Sequence, residues 1–285
     1  MTQELTGKEV ADKIHEGLRA RIAALAEAGV VPRLALVRMG ERPDDLSYER
    51  TAIKRADALG IETVTCVLDG SAAQADIEGL IESINQDASL HACLLFRPLP
   101  SHIDEQAVCD ALSPDKDIDA VSLLSLAGVF TDADSGFAPC TAAACREVLD
   151  FYGIALEGKK VAVVGRSLVV GKPLAMMLLR RNATVTLCHS RTADLPAVCQ
   201  DADIVVCATG RAKAFGKAYF KAGQVVLDVG INFDEEGRLC GDVDFEAVAP
   251  LVAAITPVPR GIGAVTTSVL MAHAVAAAEL AGKTG

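Results

Sequence analysis

VAVVGRSLVVGKPLAMMLLRRNATVTLCHSRT, the stretch from Val161 to Thr192, decides the fold of this chain. It begins with an apolar, β-branched run, turns at Gly165, and continues through Gly171 into a segment with helical apolar spacing. A second β-branched run follows from Ala183 to Leu187. Strand, glycine turn, helix and strand in this order predict a βαβ unit. The first turn of such a unit can hold a dinucleotide pyrophosphate on backbone N–H groups at a helix N-terminus.

The glycine spacing in that turn is a weak signal by itself. It is G-x-S-x-x-x-G rather than G-x-G-x-x-G, and a loop without a ligand is about as common for such a pair. The end of the second strand is more informative, because an NAD site usually carries an acid there for the ribose hydroxyls. This chain has His189, Ser190 and Arg191 instead, which suit a 2′-phosphate, so the sequence predicts NADP as the cofactor.

Length and composition restrict the class of protein. With 285 residues and 51% apolar content, the chain is long enough for two domains. The formal net charge of -11 argues against a nucleic-acid or anionic-membrane partner, because such partners select basic surfaces. The nine cysteines are never spaced as C-x-x-C, which favours a reduced, cytoplasmic protein without a disulfide framework or a metal site. We therefore expect a small-molecule ligand.

Hydrophobic spacing predicts the other main elements. Predicted helices cover residues 7–28 and 73–84 and the segment that Gly60 ends, and predicted strands cover 34–37, 63–67 and 92–96. Buried strands are also predicted within 202–210 and 224–232. The most apolar segment, Val269 to Ala281, contains His273 and Glu279 and is shorter than a bilayer span, so it is predicted to be a buried helix.

The central stretch also resembles the signature of the bifunctional methylenetetrahydrofolate dehydrogenase/cyclohydrolase family, the FolD type, through GRS, VG-x-P and ATVT-x-CHS-x-T. The resemblance covers essentially the whole chain. It implies an α/β fold of two domains with a cleft between them. The first would be an α/β substrate domain over 1–140, completed by a C-terminal helix over 266–285, and the second a Rossmann-type NADP-binding domain over 141–265. It also implies a tetrahydrofolate-type substrate and a homodimer.

Cofactor-binding residues follow from the same resemblance. Arg166 and Ser190 match family residues near the 2′-phosphate, and Gly230-Ile231, which follows a buried strand, would cover the nicotinamide or its ribose. The full implied set consists of Thr141, Gly165, Arg166, Ser167, Gly171, Ser190, Arg191, Gly230, Ile231 and Thr266.

Fewer residues of this chain match the substrate-binding part of the family pattern than match its cofactor-binding part. The run G-x-x-P-x-x-x-x-Y places Tyr48 as a catalytic and substrate-binding residue, although a lone tyrosine is more often a packing residue. LLFRPLP resembles the family's LVQLPLP and implies that Pro98 contacts substrate, and TPVPRGIGAVT implies the same for Gly261.

PDKDIDAVS, residues 114–122, matches the family's PDKDVDG with Ala120 in place of glycine. Asp119 aligns with the acid that, in the family, holds the pterin ring, so it is a second catalytic and substrate-binding candidate. Asp115 and Lys116 are expected to be solvated, as charged loop residues usually are.

Two departures from the family concern its hydrolase chemistry. The catalytic lysine position is Ala52, and Lys54 matches a second lysine about 200° around the helix, so it cannot simply substitute. The glutamine position is Phe96, and strand alternation directs the neighbouring Arg97 to the opposite face. Arg260 stands where the family has glycine, and its effect on a ligand is left open.

Three hypotheses follow. The chain is an NADP-dependent methylenetetrahydrofolate dehydrogenase with a lost or weak cyclohydrolase, or it is fully bifunctional with another residue, such as Arg55 or Arg97, in place of the lysine. In the third, it is a nucleotide-binding family member without folate catalysis, or one that acts on another substrate.

Overall fold

Apolar runs become short strands and segments with helical spacing become helices over residues 2–133 and 135–284, the part of the chain that the computed structural model describes. The strands are β1 (Gln3–Glu4), β2 (Arg33–Met39), β3 (Glu62–Leu68), β4 (Ala92–Leu95), β5 (Lys160–Val164), β6 (Thr184–Cys188), β7 (Ile204–Cys207), β8 (Val225–Asp228), β9 (Asn232–Phe233), β10 (Leu239–Cys240) and β11 (Ala254–Ile255). The helices are α1 (Gly7–Glu27), α2 (Pro43–Leu59), α3 (Gln74–Gln86), α4 (Glu105–Ala111), α5 (Leu123–Thr131), α6 (Cys140–Phe151), α7 (Gly171–Leu179), α8 (Leu195–Asp201), α9 (Phe245–Val248) and α10 (Ile262–Thr284).

One compact unit contains residues 141–266 together with 2–12. Its sheet is parallel throughout, in the order β6-β5-β7-β8-β11-β1. The chain moves outward from β5 to β6 and then returns to the other side of β5 to form β7. In open α/β sheets, ligands bind at the carboxyl ends of the strands beside such a reversal. The predicted βαβ unit is confirmed as β5, α7 and β6.

Burial explains why the strands of this unit read as continuous apolar runs. Val161–Val164 and Ile204–Cys207 are each no more than 2% exposed. Strands in a parallel sheet are covered on both faces, so both sets of alternating side chains are apolar. The core on one side joins these strands to Phe215, Phe220 and Val248.

The second compact unit contains residues 13–140 and 267–284. Its three-stranded parallel sheet has the order β3-β2-β4, and the central strand β2 is buried along nearly its whole length. α2 ends at Gly60 as predicted, because Gly60 adopts φ 78° and its N–H bonds to the carbonyls of Ala56 and Asp57. Sheet and helices enclose a core that includes Ile77 and Ile81 of α3.

The location of the N-terminal residues differs from the predicted domain division. Residues 1–140 were expected to form one domain, yet 2–12 belong to the unit that contains the six-stranded sheet. The reason is pairing: the amides of Gln3 and Leu5 bond to the carbonyls of Ala253 and Ile255, both at 2.9 Å, which adds β1 to the edge of the sheet beside β11. The C-terminal helix also begins earlier than predicted, at Ile262.

α10 is longer than the apolar segment from which the sequence excluded a bilayer span. It has 23 residues, and by length and composition alone its segment Ile262–Gly282 is long and apolar enough to cross a membrane. More than half of its most apolar window is nevertheless buried within the protein. Glu279 makes a two-point ion pair with Arg21 of α1, with N···O distances of 2.8 and 2.7 Å. These are the contacts of a core helix, as the sequence predicted.

The loop before α5 is held by two charged residues whose structural roles the sequence did not indicate. Lys116 was expected to be solvated, but its Nζ donates to the carbonyls of Ile84, Asn85 and Asp87 at 2.6 to 3.0 Å and caps the C-terminus of α3. Asp117 is 1% exposed. Its carboxylate accepts hydrogen bonds from the backbone N–H groups of Val121 and Ser122 and from the hydroxyls of Ser122 and Ser125. Together they fix the segment that carries Asp119.

Ala120 is a buried alanine with φ 51°, in the left-handed region that favours glycine. We predict that Ala120→Gly raises the free energy of unfolding by about 0.5 to 1 kcal/mol, because relief of the left-handed strain exceeds the entropy that glycine adds to the unfolded chain. Ala127→Gly, at an exposed position inside α5, is the control and should lower the free energy of unfolding by a similar amount. Urea unfolding measures both, and a loss of stability in both variants would contradict the prediction.

Candidate functional site

A cavity of about 380 Å³ lies at the carboxyl ends of β5, β6 and β7, where the chain reverses across the sheet. Its position is the one expected for a ligand in an open α/β sheet. The lining comes from the loops after these three strands and from the start of α8. It comprises Val164, Gly165, Arg166, Ser167, His189, Ser190, Leu195, Ala208, Thr209, Arg211, Ala214, Phe215 and Tyr219.

Two glycines allow the loop after β5 to fold tightly. Gly165 has φ 126°, and a Cβ placed on it would collide with the carbonyl oxygen of Ala208 after β7. A Cβ on Gly171 would in turn collide with the carbonyl oxygen of Gly165. Ser167 closes the loop, because its Oγ accepts the N–H of Val170 at 3.1 Å. The G-x-S-x-x-x-G spacing therefore sets Arg166 and Ser167 on the cavity wall.

The charges around this cavity favour an anion. The lining given above contains Arg166, Arg211 and His189 but no carboxylate, although the chain as a whole carries a formal charge of -11. The Nδ1 of His189 accepts the N–H of Arg191 at 3.1 Å, which fixes the ring orientation at the end of β6. An uncompensated pair of guanidinium groups is suited to phosphate, which accepts charge-assisted hydrogen bonds.

The structure gathers part of the predicted cofactor set. Gly165, Arg166, Ser167 and Ser190 line the cavity, and Gly171 packs directly behind it. Arg191 is exposed and does not contribute to the lining.

The remaining predicted cofactor residues lie outside this cavity. Ile231 is 64% exposed, and a Cβ on Gly230 would collide with the carboxylate of Asp242. Thr141 is partly exposed in the first turn of α6. The hydroxyl of Thr266 bonds to the carbonyl of Ile262 in its own helix at 3.3 Å.

Asp242 is a residue that sequence reasoning missed. It is fully buried, and its carboxylate accepts the N–H groups of Gly210 at 3.2 Å and Arg211 at 2.8 Å, the N–H and hydroxyl of Thr209, and the side-chain amide of Asn232 at 3.0 Å. It thereby holds the loop after β7 in place. The segment GDVDF was noted only as part of the family pattern.

Asp228 forms the second half of this network at the end of β8. It is 2% exposed and accepts the N–H groups of Gly230 at 3.1 Å, Asp242 at 2.9 Å and Val243 at 2.9 Å. Burial raises the pKa of Asp228 to about 7, against the opposing effect of these hydrogen bonds. An acid at the end of an apolar strand was the available signal for Asp228, whereas Asp242 had no such local signal.

In the other unit, Tyr48 lies among apolar and weakly polar neighbours. Its ring meets Phe96 edge to face at a centroid distance of 6.0 Å. Ala52, one turn further along α2, is completely buried. Lys54 is exposed, which agrees with the prediction that it does not substitute for a lysine at position 52.

Asp119 and Tyr48 influence each other electrostatically. The pKa of Tyr48 is raised well above its usual value, mainly by burial and additionally by the charge of Asp119. The pKa of Asp119 is also raised by burial, although its carboxylate accepts the N–H of Cys140 at 2.9 Å. The structure therefore brings the two predicted catalytic residues close enough to interact, and burial shifts the pKa of each upward.

The other two predicted substrate contacts are Pro98 and Gly261. Pro98 is exposed, and its carbonyl accepts a hydrogen bond from Arg42 at 2.9 Å. Gly261 belongs to the unit with the six-stranded sheet, where a Cβ would collide with the carbonyl of Pro257. Arg260, with φ 81°, is exposed at a different cavity of about 390 Å³ in the same unit.

Neither arginine near the missing lysine is suited to proton transfer. Arg55 donates to the hydroxyl of Ser268 at 2.9 Å and lies 3.3 Å from the ring Nε2 of His15. Arg97 is 3.7 Å from the carboxylate of Glu105. A guanidinium remains protonated at neutral pH and has no acceptor, so it cannot serve as a general base. The suggestion that one of them replaces the lysine is therefore disfavoured on chemical grounds.

Comparison with known proteins gives consistent matches over both halves of the chain. Residues 5–119 match the model of the tetrahydrofolate dehydrogenase/cyclohydrolase catalytic domain, and residues 139–282 match that of the NAD(P)-binding domain. The bifunctional protein FolD of Clostridium botulinum is 49% identical over 279 residues, covering 98% of this chain and 99% of the relative.

Solved structures agree with this result. The bifunctional FolD of Campylobacter jejuni superimposes with a TM-score of 0.96 at 34% identity, over 98% of this chain and 99% of that one. The FolD of Trypanosoma brucei, solved with NADP and an inhibitor, has a TM-score of 0.92 at 32% identity, over 99% of each chain. The two-domain α/β fold is thus confirmed. Because the catalytic and nucleotide-binding models match in order and the relatives align over almost their full length, the chain belongs to the tetrahydrofolate dehydrogenase/cyclohydrolase family.

Proposed function

We propose that the protein is an NADP-dependent 5,10-methylenetetrahydrofolate dehydrogenase whose methenyltetrahydrofolate cyclohydrolase activity is lost or weak. The observation that carries this proposal is the buried, apolar pair Ala52 and Phe96 at the two positions where the family pattern has lysine and glutamine. The alternative is a fully bifunctional enzyme, and the names of its relatives favour it. A homodimer and a cytoplasmic location belong to the proposal by family resemblance.

Oxidation of the methylene bridge needs little from acidic or basic side chains. The substrate loses a hydride, and the two nitrogens that flank the carbon share the resulting positive charge. When bound, NADP supplies the hydride acceptor. The protein has mainly to bind and align the substrate, and alignment alone can contribute a large part of the rate. Asp119 is suited to this role, because an ionised carboxylate can accept two parallel N–H bonds from the guanidine-like edge of a pterin.

Hydrolysis of the methenyl product has different requirements. Water must add and lose a proton, and one nitrogen must gain a proton before the ring opens. Positioned acid/base catalysis of this kind contributes ~10²- to 10⁴-fold. A lysine whose pKa is lowered by burial beside a neighbouring amide can supply it, but Ala52 and Phe96 cannot. The raised pKa of Tyr48 keeps its hydroxyl protonated, so it can donate but not accept a proton at neutral pH.

The assignment of NADP is supported by the charge around the cavity at β5, β6 and β7. An NAD site usually has an acid at the end of the second strand, whereas Ser190 follows His189 here. Arg166 adds a guanidinium at the same wall, and the residues found to line the cavity include no acid. Groups of this kind fit the additional phosphate of NADP.

The first functional prediction concerns hydrolysis. With methenyltetrahydrofolate supplied directly, we expect the protein to hydrolyse it about 10²- to 10⁴-fold more slowly than an enzyme with positioned acid/base catalysis, while dehydrogenase activity is measurable. Loss of the methenyl absorbance above the uncatalysed rate is the measurement. Hydrolysis as fast as the dehydrogenase step would refute the proposal in favour of the bifunctional alternative.

A gain-of-function variant sharpens this test. Ala52→Lys combined with Phe96→Gln restores the family pair, and we expect it to raise the hydrolysis rate at least tenfold if a buried amine is what is missing. Ala52→Met with Phe96→Gln is the matched control, because methionine has similar length without the amine. Equal rates in the two variants would show that the lysine position does not determine the hydrolase activity.

The second prediction concerns the cofactor. Arg166→Ala should weaken NADP binding about tenfold or more and leave NAD binding nearly unchanged, because a charge-assisted contact to phosphate contributes roughly 1.5 to 3 kcal/mol. Titration of each cofactor by protein or cofactor fluorescence measures the change. If the unmodified protein binds NAD more tightly than NADP, the cofactor assignment is wrong.

The third prediction concerns the pterin. Asp119→Ala should abolish turnover of the folate substrate while NADP affinity is retained, since the carboxylate is proposed to bind the pterin and does not line the cofactor cavity. Asp115→Ala, an exposed position in the same loop, serves as the control and should turn over normally. Turnover of Asp119→Ala within a few-fold of the unmodified rate would exclude this role.

A further inference from the structure

We infer that Arg211, rather than Arg191, is the second guanidinium that selects the 2′-phosphate of the cofactor. The inference deepens the proposed function and rests on its NADP assignment. Arg191 was predicted from the sequence because it follows Ser190 directly at the end of β6. Arg211 lies after β7, further along the chain, and no motif singled it out.

Cavity geometry separates the two arginines. Arg211 lines the cavity of about 380 Å³ together with Arg166 and Ser190, whereas Arg191 does not line it. The turn that holds Arg191 is closed locally: the N–H of Arg191 bonds to His189 Nδ1, and the N–H of Thr192 bonds to the carbonyl of His189 at 2.9 Å. Both arginines are exposed, so solvent exposure does not distinguish them. They differ because only Arg211 lines the cavity.

The backbone of Arg211 is anchored while its side chain is available. Its N–H donates to the buried carboxylate of Asp242 at 2.8 Å, and the preceding Gly210 donates to the same carboxylate at 3.2 Å. The guanidinium itself has no ion pair or hydrogen bond with any residue in 2–133 or 135–284. The backbone of Arg211 is thus fixed, and the residue lines the cavity. A cation held in this way is pre-organised for an anionic ligand.

Arg211 lines the same cavity as Ser190 at the end of β6, where a 2′-phosphate would be expected. Ala214, Phe215 and Tyr219 continue the cavity wall from Arg211. The side chain of Gln200 in α8, the helix that follows β6, donates to the carbonyl of Ala218 at 2.7 Å. The segment 211–219 is therefore joined to the helix that follows β6, and Arg211 and Ser190 line the same cavity.

No acid in the cavity lining competes for this guanidinium. Arginine can bind a phosphate through two parallel N–H bonds, which lysine cannot reproduce. The contact would exist with NADP and not with NAD, so Arg211 should determine specificity between the two rather than affinity for both.

Binding measurements with paired variants test the inference. We would determine the ratio of the Kd for NAD to the Kd for NADP in the unmodified protein, in Arg211→Gln, Arg211→Lys and Arg191→Gln, and in Lys172→Gln. Lys172 is exposed in the first turn of α7 and does not line the cavity, so its variant controls for the loss of one positive charge. Thermal unfolding of each variant checks that the fold is retained.

The expected result is a ratio that falls about tenfold or more in Arg211→Gln, falls less in Arg211→Lys, and changes far less in Arg191→Gln and Lys172→Gln. An unchanged ratio in Arg211→Gln, or an equal fall in Arg191→Gln, would overturn the inference. Equal weakening of NAD and NADP would also overturn it, because Arg211 would then contact a part that both cofactors share. A preference of the unmodified protein for NAD would instead overturn the NADP assignment itself.

Discussion

Two buried carboxylates, those of Asp228 and Asp242, hold the carboxyl edge of the six-stranded sheet together. Loops at this edge have no regular pairing of their own, so their backbone N–H groups need acceptors. Asp242 supplies acceptors to the loop after β7, and Asp228 supplies them to Gly230 and to Asp242 and Val243. A carboxylate in the interior is costly unless its hydrogen bonds are satisfied, and here nearly all of its partners are backbone amides. Removing either acid would leave several buried donors unpaired and free the loops that line the cavity.

The same arrangement keeps the carboxylate of Asp242 out of the cavity lining in a protein of formal net charge -11. The carboxylate of Asp242 accepts N–H groups of the loop that carries Arg211, and these hydrogen bonds stabilise its charge. Thr209, whose N–H and hydroxyl bond to Asp242, and Arg211 both line the cavity, and no carboxylate is among the residues found to line it. A net charge of -11 therefore says little about the local field. Local arrangement of fixed charges and dipoles decides which ligands are attracted.

Local patterns predicted much of the fold, and long-range contacts account for what was missed. The βαβ unit was predictable because strand, glycine turn and helix are each encoded within a few residues, and Gly60 ended α2 as expected. The place of residues 2–12 was not predictable, since it depends on pairing with β11 about 250 residues away. Lys116 was wrongly expected to be solvated, because its partners at the end of α3 are adjacent only in the folded chain. The position of Arg211 in the cavity lining was not predicted for the same reason.

In the unit that contains residues 13–140, the packed interior limits which side chains can occupy positions 52 and 96. Ala52 is fully buried and Phe96 is nearly so, and Phe96 packs its ring against Tyr48. Apolar residues can occupy these positions without leaving unpaired polar groups, whereas a lysine without its glutamine would be an unsatisfied buried charge. The two departures are therefore coupled: once one of the pair is apolar, an apolar partner is the more stable choice. The hydrogen bond that Asp119 accepts from the N–H of Cys140, at the start of α6, does not involve either position. A hydrogen-bonded Asp119 is thus compatible with an apolar interior at positions 52 and 96 of the same unit.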